Sequence, residues 1–209
     1  MKKRMGLWTG LAATVVAANV AAGWVHLPTG VSRTTPRAGS GPAAELAPKV
    51  GGLLQAGIKQ GGNKDFSGAT RSFRQVLDLD PANKLAWYNL GVVAQHDNRT
   101  ADARAAYDKA LKIDPDFESA LYNKAILIGT SDTDQAIEIL QHIVRANPKA
   151  ATAYLHLGQA LTKKGRDGEA EDAFGLAVRA DPSLRQLVPE QFRNPTGPAP
   201  KATQAGTKR

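Results

Sequence analysis

Four histidines and nineteen acidic side chains are the residues of this 209-residue chain that could do chemistry. The histidines stand at positions 26, 96, 142 and 156, and no two of them have a spacing that is typical of metal ligands. Cysteine is absent, which excludes a disulfide scaffold, a thiolate zinc site and a catalytic thiol. We therefore expect neither a bound metal nor a cofactor.

The acidic residues occur where exposed helix faces or turns are expected, as with Asp97 and Glu138. The sequence has no glycine-rich phosphate loop, no His-Glu-x-x-His zinc motif and no Gly-x-Ser-x-Gly nucleophile motif. Residues 98–100 match a glycosylation acceptor, but Thr100 is also a natural helix N-cap. The sequence thus predicts a protein that is not an enzyme and has no catalytic residues.

The excess of basic residues is confined to the two ends of the chain. Residues 1–49 hold six basic and one acidic residue, and residues 185–209 hold five basic and one acidic residue. Between them, residues 50–184 hold 16 basic and 17 acidic residues. A nucleic-acid-binding domain concentrates lysine and arginine on a folded face, so this distribution argues against nucleic acid as a partner.

Residues 5–25 form an uncharged, mostly apolar run directly after a basic cluster at residues 2–4. At a helical rise of about 1.5 Å per residue, such a run covers roughly 30 Å, the thickness of a bilayer core. Trp8 and Trp24 lie near its ends, where indole rings favour the membrane interface. These features predict a single-pass anchor in the cytoplasmic membrane, with residues 1–4 inside and the rest of the chain outside.

A cleaved secretory signal is the alternative, because the run is rich in alanine and residues 20–22 form an acceptable cleavage site. The remaining chain would then be secreted or periplasmic. Small residues at every fourth position from Gly6 to Ala22 also permit close pairing of membrane helices, and so a weak homo-oligomer. The high alanine content, together with the absence of cysteine, is typical of a bacterium with a GC-rich genome.

Two segments have the composition of unstructured chain. Residues 26–49 contain four prolines with scattered Gly, Ser and Thr, which predicts a linker without regular elements. Residues 194–209 have a similar composition with added basic residues, and we expect a disordered tail.

Between these segments the sequence repeats with a period of 33 or 34 residues. An Asp-Pro or Asn-Pro pair closes each period, because proline ends a helix and the preceding side chain can hydrogen-bond the turn. A small residue upstream marks where two antiparallel helices approach, with a large side chain beside it. The landmarks are Pro81, Pro115, Pro148 and Pro182, alanines at 69, 103, 136 and 170, the large residues Phe73, Tyr107, Leu140 and Phe174, and the small residues Gly57, Gly91, Ala125 and Gly158.

With these landmarks the chain resembles the tetratricopeptide repeat family, whose units are helix–turn–helix motifs of 34 residues. The resemblance implies an all-α, right-handed solenoid of four units over residues 50–83, 84–117, 118–150 and 151–184, with a capping helix at 185–193. The third unit is one residue short, which places a deletion in the Gly129–Asp134 turn. The first helix of the first unit starts with Gly51-Gly52 and is expected to be short or frayed.

The resemblance also implies that the first helix of each unit lines a concave groove for a partner peptide or helix. The family's groove positions correspond to Leu85, Tyr88, Asn89, Val92 and His96, to Ser119, Tyr122, Asn123 and Ile126, and to Thr152, Leu155, His156, Gln159 and Lys163.

Asn89 and Asn123 occupy the same place in successive units, and their carboxamides could pair with the backbone of an extended ligand. The alternative is that they only satisfy neighbouring backbone groups. Lysines that clamp a C-terminal carboxylate in some family members are replaced here by Leu54, Ile58, Ser119 and Asn123. Chaperone-tail binding is therefore not implied.

The sequence as a whole predicts a membrane-anchored scaffold that holds a protein or peptide partner outside the cytoplasmic membrane, in envelope assembly, secretion or sensing. Two alternatives are a self-assembling structural protein and a non-catalytic accessory subunit of an envelope enzyme complex.

Overall fold

The computed structural model describes residues 42–193, and every regular element in this range is helical. This confirms the predicted all-α fold. The elements are α1 (Pro42–Gly62), α2 (Phe66–Leu79), α3 (Lys84–His96), α4 (Thr100–Ile113), α5 (Glu118–Ile128), α6 (Thr133–Ala146), α7 (Ala151–Lys163), α8 (Asp167–Ala180), a 3-10 segment (Pro182–Leu187) and α9 (Glu190–Arg193).

The described helices fall into two compact units that divide between Ile139 and Leu140, within α6. In the first unit, α1 packs against α2 and α3 against α4, and each pair contacts the next helix along the chain. In the second unit, α7 packs against α8, and the 3-10 segment contacts both. Consecutive helix pairs are the arrangement that the repeats predict.

Three of the predicted small residues lie directly under an aromatic ring of the following helix. A Cβ atom at any of these glycines would lie 2.5 to 2.6 Å from a ring carbon, closer than real Cβ contacts. Only glycine lets the two helices approach so closely with the ring between them. The pairs are Gly57 with Phe73, Gly91 with Tyr107, and Gly158 with Phe174.

The predicted role of the Asp-Pro and Asn-Pro turns is confirmed at all four places. In each turn the side-chain Oδ1 accepts a hydrogen bond from the amide two residues further on, which is an Asx turn. The donors and acceptors are Ala82 N to Asp80 (3.2 Å), Asp116 N to Asp114 (3.1 Å), Lys149 N to Asn147 (3.1 Å) and Ser183 N to Asp181 (2.9 Å).

The first helix differs from the expectation of a linker up to residue 49 and a frayed helix after it. α1 begins at Pro42 and runs for 21 residues, with Pro48 inside it. The stretch Ala43 to Ala47 consists of strong helix formers, which offset the missing amide of Pro48. Leu54 and Gly57 are buried against α2, so packing also holds the part after the two glycines.

The third repeat loses its residue from the helix rather than from the turn. α5 has 11 residues, whereas α3 and α7 have 13 each. The turn between α5 and α6 has four residues, 129–132, one more than the three-residue turn 97–99 after α3, so the loss lies entirely in the helix.

The C-terminal cap is interrupted, where the sequence predicted one helix over residues 185–193. Val188 has extended backbone angles, since the following Pro189 disfavours the helical conformation. The Phe192 ring nevertheless lies 5.2 Å from that of Phe174. The Arg193 guanidinium donates hydrogen bonds to the carbonyls of Val188 (2.7 Å) and Gln186 (2.8 Å), which ties the segment together.

No helix within residues 42–193 has both the length and the apolar character that a membrane span requires. The predicted anchor at 5–25, with Trp8 and Trp24, and the predicted tail at 194–209 lie outside the described residues.

Candidate functional site

The fourteen predicted groove residues all lie on first helices, as the repeat pattern requires. Nine of them are on α3 and α5 in the first unit, and five are on α7 in the second unit. Several of them are less accessible than residues that contact a ligand in a groove must be. We therefore describe the two groups separately, by what each side chain contacts.

Four of the fourteen residues belong to the core rather than to an accessible face. Tyr88, Asn89 and Val92 on α3 are at most 3% exposed, and so is Leu155 on α7. These side chains are packed into the core, so a bound peptide cannot reach them without displacing core residues. Asn89 in particular is not available to a ligand backbone.

The Asn89 carboxamide is satisfied on one side only. Its Nδ2 donates to the Leu85 carbonyl within the same helix at 2.9 Å, which is the alternative that the sequence left open. Its Oδ1 is buried and accepts no hydrogen bond from the residues that the structure describes. A buried acceptor without a donor lowers the stability of the fold, because the oxygen loses its hydrogen bonds to water on folding and gains none within the protein.

Asn123, one repeat later, uses its carboxamide to join two helices. Its Nδ2 donates to the Tyr88 hydroxyl at 3.0 Å, a bond between α5 and α3. The residue that corresponds to Tyr88 one repeat earlier is Leu54, which has no hydroxyl. The partner of each asparagine is thus decided by the residue 35 positions before it.

Tyr88 is the centre of an aromatic cluster in the first unit. Its ring centroid lies 5.9 Å from Tyr107 and 5.3 Å from Phe117, and the Tyr107 hydroxyl donates to Gln95 Oε1 at 2.8 Å. Burial raises the pKa of the Tyr88 and Tyr107 hydroxyls far above their ordinary value, so both stay neutral. The cluster is structural and offers no acid or base.

Ion pairs neutralise the lysines beside this cluster. Lys84 Nζ bonds the Asp114 carboxylate and lies 5.1 Å from the Phe117 ring centroid, and Lys124 Nζ lies 2.6 Å from Asp108 Oδ1. The hydrogen bond from Lys84 holds the pKa of Asp114 below its usual value. The α3 and α5 surface therefore presents little uncompensated charge.

The remaining predicted residues of the first unit are half-buried and mainly apolar. Ser119, Tyr122 and Ile126 follow each other at i, i+3 and i+7 on α5, which places them on one helix face with Asn123. On α3, Leu85 is also half-buried, and the His96 ring stacks on Phe66 at 4.8 Å. Burial lowers the pKa of His96, which keeps it neutral near pH 7.

In the second unit the predicted residues are divided between polar and buried positions. His156 Nδ1 lies 3.0 Å from Gln159 Oε1, and burial lowers the pKa of His156. Thr152 and Lys163 are exposed. This face of α7 can hydrogen-bond a partner but offers few apolar anchors.

The sequence did not predict a cleft on the other side of the first unit. It measures about 650 Å³ and lies between the second helices α2 and α4, with α3 as its floor. Trp87 and Leu90 line it, and neither is among the predicted groove residues. The sequence did contain a signal for this cleft. Trp87 and Leu90 are large residues that flank Tyr88 and Asn89 on α3, and one layer of neighbouring helices cannot cover large residues on both sides of a helix.

Within the part of the chain that the structure describes, no group of three His, Asp or Glu side chains is placed to hold a metal ion. The arrangement offers surfaces for binding.

Comparisons with known proteins agree with this picture. The family model described as "Tetratricopeptide repeat" matches residues 54–116 and 126–184, together more than half of the chain. Photosystem I assembly protein Ycf3 of Rippkaea orientalis is 30% identical over 133 residues, a match that covers 56% of this chain and 77% of that protein. The crystal structure of MamA is similar with a TM-score of 0.58 at 27% identity, over 62% of this chain and 77% of that one.

Several other curated relatives are matched over only a small part of their own length. Protein O-mannosyl-transferase Tmtc3 of Drosophila melanogaster is 28% identical over 114 residues, which is 54% of this chain. The match spans only 12% of that relative's length, and the next relatives are covered to 14 or 15%. The family model, the helix pairs and the glycine–ring packing together show that this chain belongs to the tetratricopeptide repeat family.

Proposed function

We propose that the protein is a non-catalytic scaffold that holds a segment of a partner protein against α3 and α5 of its first unit. Tetratricopeptide repeats are typically non-catalytic binding modules, which supports the general class. The observation that carries the specific proposal is the row of half-buried residues Ser119, Tyr122 and Ile126 on α5. The Asn123–Tyr88 hydrogen bond fixes this row relative to α3.

The chemistry of this row indicates a largely uncharged ligand. Tyr122 and Ile126 supply apolar area, and Ser119 supplies a hydroxyl for hydrogen bonding. The neighbouring Lys84 and Lys124 already pair with acidic residues. A peptide or helix with aliphatic or aromatic anchors fits such a face better than a charged tail does.

Site-specific photo-crosslinking in living cells tests this proposal. A photoactivatable amino acid at position 122 should give adducts dominated by one foreign protein. The same amino acid at position 104, which is exposed on α4 and lies outside the α3 and α5 face and the cleft, provides the control. Adducts to the protein itself would favour self-assembly, and co-purification of an enzyme would favour an accessory subunit. No specific adduct at 122 would contradict a partner on this face.

We also propose that the repeats lie outside the cytoplasmic membrane, anchored through residues 5–25. The support is the basic cluster, the apolar run and the two tryptophans of the sequence. Protease added to spheroplasts should degrade the repeats while a cytoplasmic marker survives. Protection of the repeats would contradict this topology, and the mass of the mature N-terminus distinguishes an anchor from a cleaved signal.

A further inference from the structure

The cleft between α2 and α4 has the size and the lining of a ligand site. Its volume of about 650 Å³ lies within the roughly 300–1,000 Å³ that is usual for such sites. It is an open cleft, and Ser119, Tyr122 and Ile126 are not among the residues that line it. It is therefore distinct from the α3 and α5 surface that carries the proposed function.

The floor of the cleft is apolar and held in a fixed orientation. Trp87 and Leu90 on the floor, and Leu77 on the α2 rim, keep part of their surface accessible while packing against the core clusters of the first unit. The Trp87 indole donates its Nε1 hydrogen to the Pro81 carbonyl at 3.0 Å. Its polar atom is thus satisfied within the protein, and the indole ring is pre-oriented toward an apolar ligand group.

The two rims of the cleft each carry a cation without an ion pair among the described residues, Arg74 on α2 and Lys109 on α4. The third cation, Arg99, is already bonded to Asp97 and Asp102.

The repeat geometry places Arg74 and Lys109 at nearly the same height along the axes of α2 and α4. Arg74 lies six residues before Asp80 and Lys109 five before Asp114, and those two residues occupy equivalent turns. Because α2 and α4 are both joined to α3 by short turns, they run in the same direction. At about 1.5 Å per residue, the two cations differ by only one residue's rise along the cleft.

This charge arrangement decides between candidate occupants. Asp78 and Asp102 also line the rims and would repel the repeated phosphates of a nucleic acid. The chain's own ends do not fit either, since residues 1–41 and 194–209 contain basic residues but no acidic ones. A partner with few well-placed carboxylates is the complementary occupant.

We infer that this cleft is a second docking surface, which takes a peptide segment of another protein with a large apolar residue flanked by acidic residues. The apolar side chain rests on Trp87 and Leu90. A flanking carboxylate lies between Arg74 and Lys109, which contact it from opposite rims.

A displayed library of random twelve-residue peptides, selected against the full chain in detergent, provides the probe. Enriched peptides should carry Asp or Glu next to an aromatic or long aliphatic residue. Fluorescence anisotropy then compares one enriched peptide on three proteins. The double variant Arg74→Glu/Lys109→Glu should bind about tenfold more weakly, as expected for reversing two exposed charge contacts. The matched variant Arg71→Glu/Arg104→Glu changes the same charge on exposed positions of the same helices, outside the cleft, and should bind like the wild type.

Three results would overturn the inference: no enriched peptides, enriched peptides without acidic residues, or equal binding to both double variants. A peptide lost in Tyr122→Ala but retained in Arg74→Glu/Lys109→Glu would also overturn it, while supporting the α3 and α5 surface. Circular dichroism verifies that each variant is folded. If the reversal variant is unfolded, Arg74→Gln/Lys109→Gln replaces it, with a smaller loss of affinity expected.

Discussion

Asn89 and Asn123 stand at the same place in successive repeats, yet one ends as a buried group with an unsatisfied oxygen and the other joins two helices. Asn123 on α5 donates to the Tyr88 hydroxyl on α3, whereas the position equivalent to Tyr88 on α1 holds Leu54, which has no hydroxyl for Asn89. Equal residues in equal registers therefore contribute differently to stability. The difference shows that a repeat position acquires its role from the preceding repeat.

Replacing Tyr88 with leucine should make the contact of α3 with α5 resemble that of α1 with α3. We expect this change to have the largest effect on the free energy of unfolding. Tyr88→Leu removes the ring contacts with Tyr107 and Phe117 and the hydrogen bond from Asn123. We expect the free energy of unfolding to fall by about 3 kcal/mol. Urea denaturation of the full chain, followed by circular dichroism, measures it.

The control variant is Tyr88→Phe, which keeps the ring and removes only the hydroxyl. Its expected loss is about 1 kcal/mol, the net value of one hydrogen bond. Equal losses for both variants would show that the ring contacts contribute little and that the two helix contacts differ only by the hydrogen bond.

The two asparagines should respond to the same substitution with opposite signs. Asn89→Leu removes a buried oxygen without a donor and should raise the free energy of unfolding by about 1 kcal/mol. Asn123→Leu removes the bond to Tyr88 and should lower it by a similar amount. The same denaturation experiment compares them, and a loss of stability in Asn89→Leu would mean that the Asn89 oxygen has a bound water or another partner.

A tyrosine hydroxyl placed near Asn89 should form the hydrogen bond that Tyr88 forms with Asn123, and so link α1 to α3. Leu54→Tyr introduces this group at a buried position and costs some overpacking, which a double-mutant cycle with Asn89→Leu removes from the comparison. We expect a favourable coupling of about 0.5–1 kcal/mol between Tyr at 54 and Asn at 89. A coupling of zero would place the two side chains out of hydrogen-bonding reach.

The smallest expected effect concerns Lys84. The equivalent position in the first repeat holds Val50, which cannot form an ion pair. Because Lys84 lowers the pKa of folded Asp114, their pairing stabilises fully above the unfolded pKa of about 4 and is lost as the pH falls through the lower folded pKa. Lys84→Met should therefore give a shallower loss of stability between pH 5 and about pH 2. The exposed Lys112→Met serves as control and should leave the wild-type pH profile unchanged.

The sequence by itself determined the helix pairs of this protein. Proline after Asp or Asn ends each second helix, and glycine opposite an aromatic ring fixes the crossing of a pair. These are local constraints, or constraints between residues about 16 positions apart, so they are visible as a regular spacing. The start of α1 at Pro42 differs from the predicted linker, because the prolines and scattered Gly, Ser and Thr of residues 26–49 indicate irregular chain although residues 43–47 are helix formers.

Tertiary structure alone decided which surfaces are accessible. Tyr88, Asn89 and Val92 match groove positions in the sequence, but packing against neighbouring helices buries them. The cleft with Arg74 and Lys109 arises only when α2 and α4 come together over α3. Periodicity gives the direction of a side chain relative to its own helix, whereas its exposure depends on which side chains of the next repeat cover it.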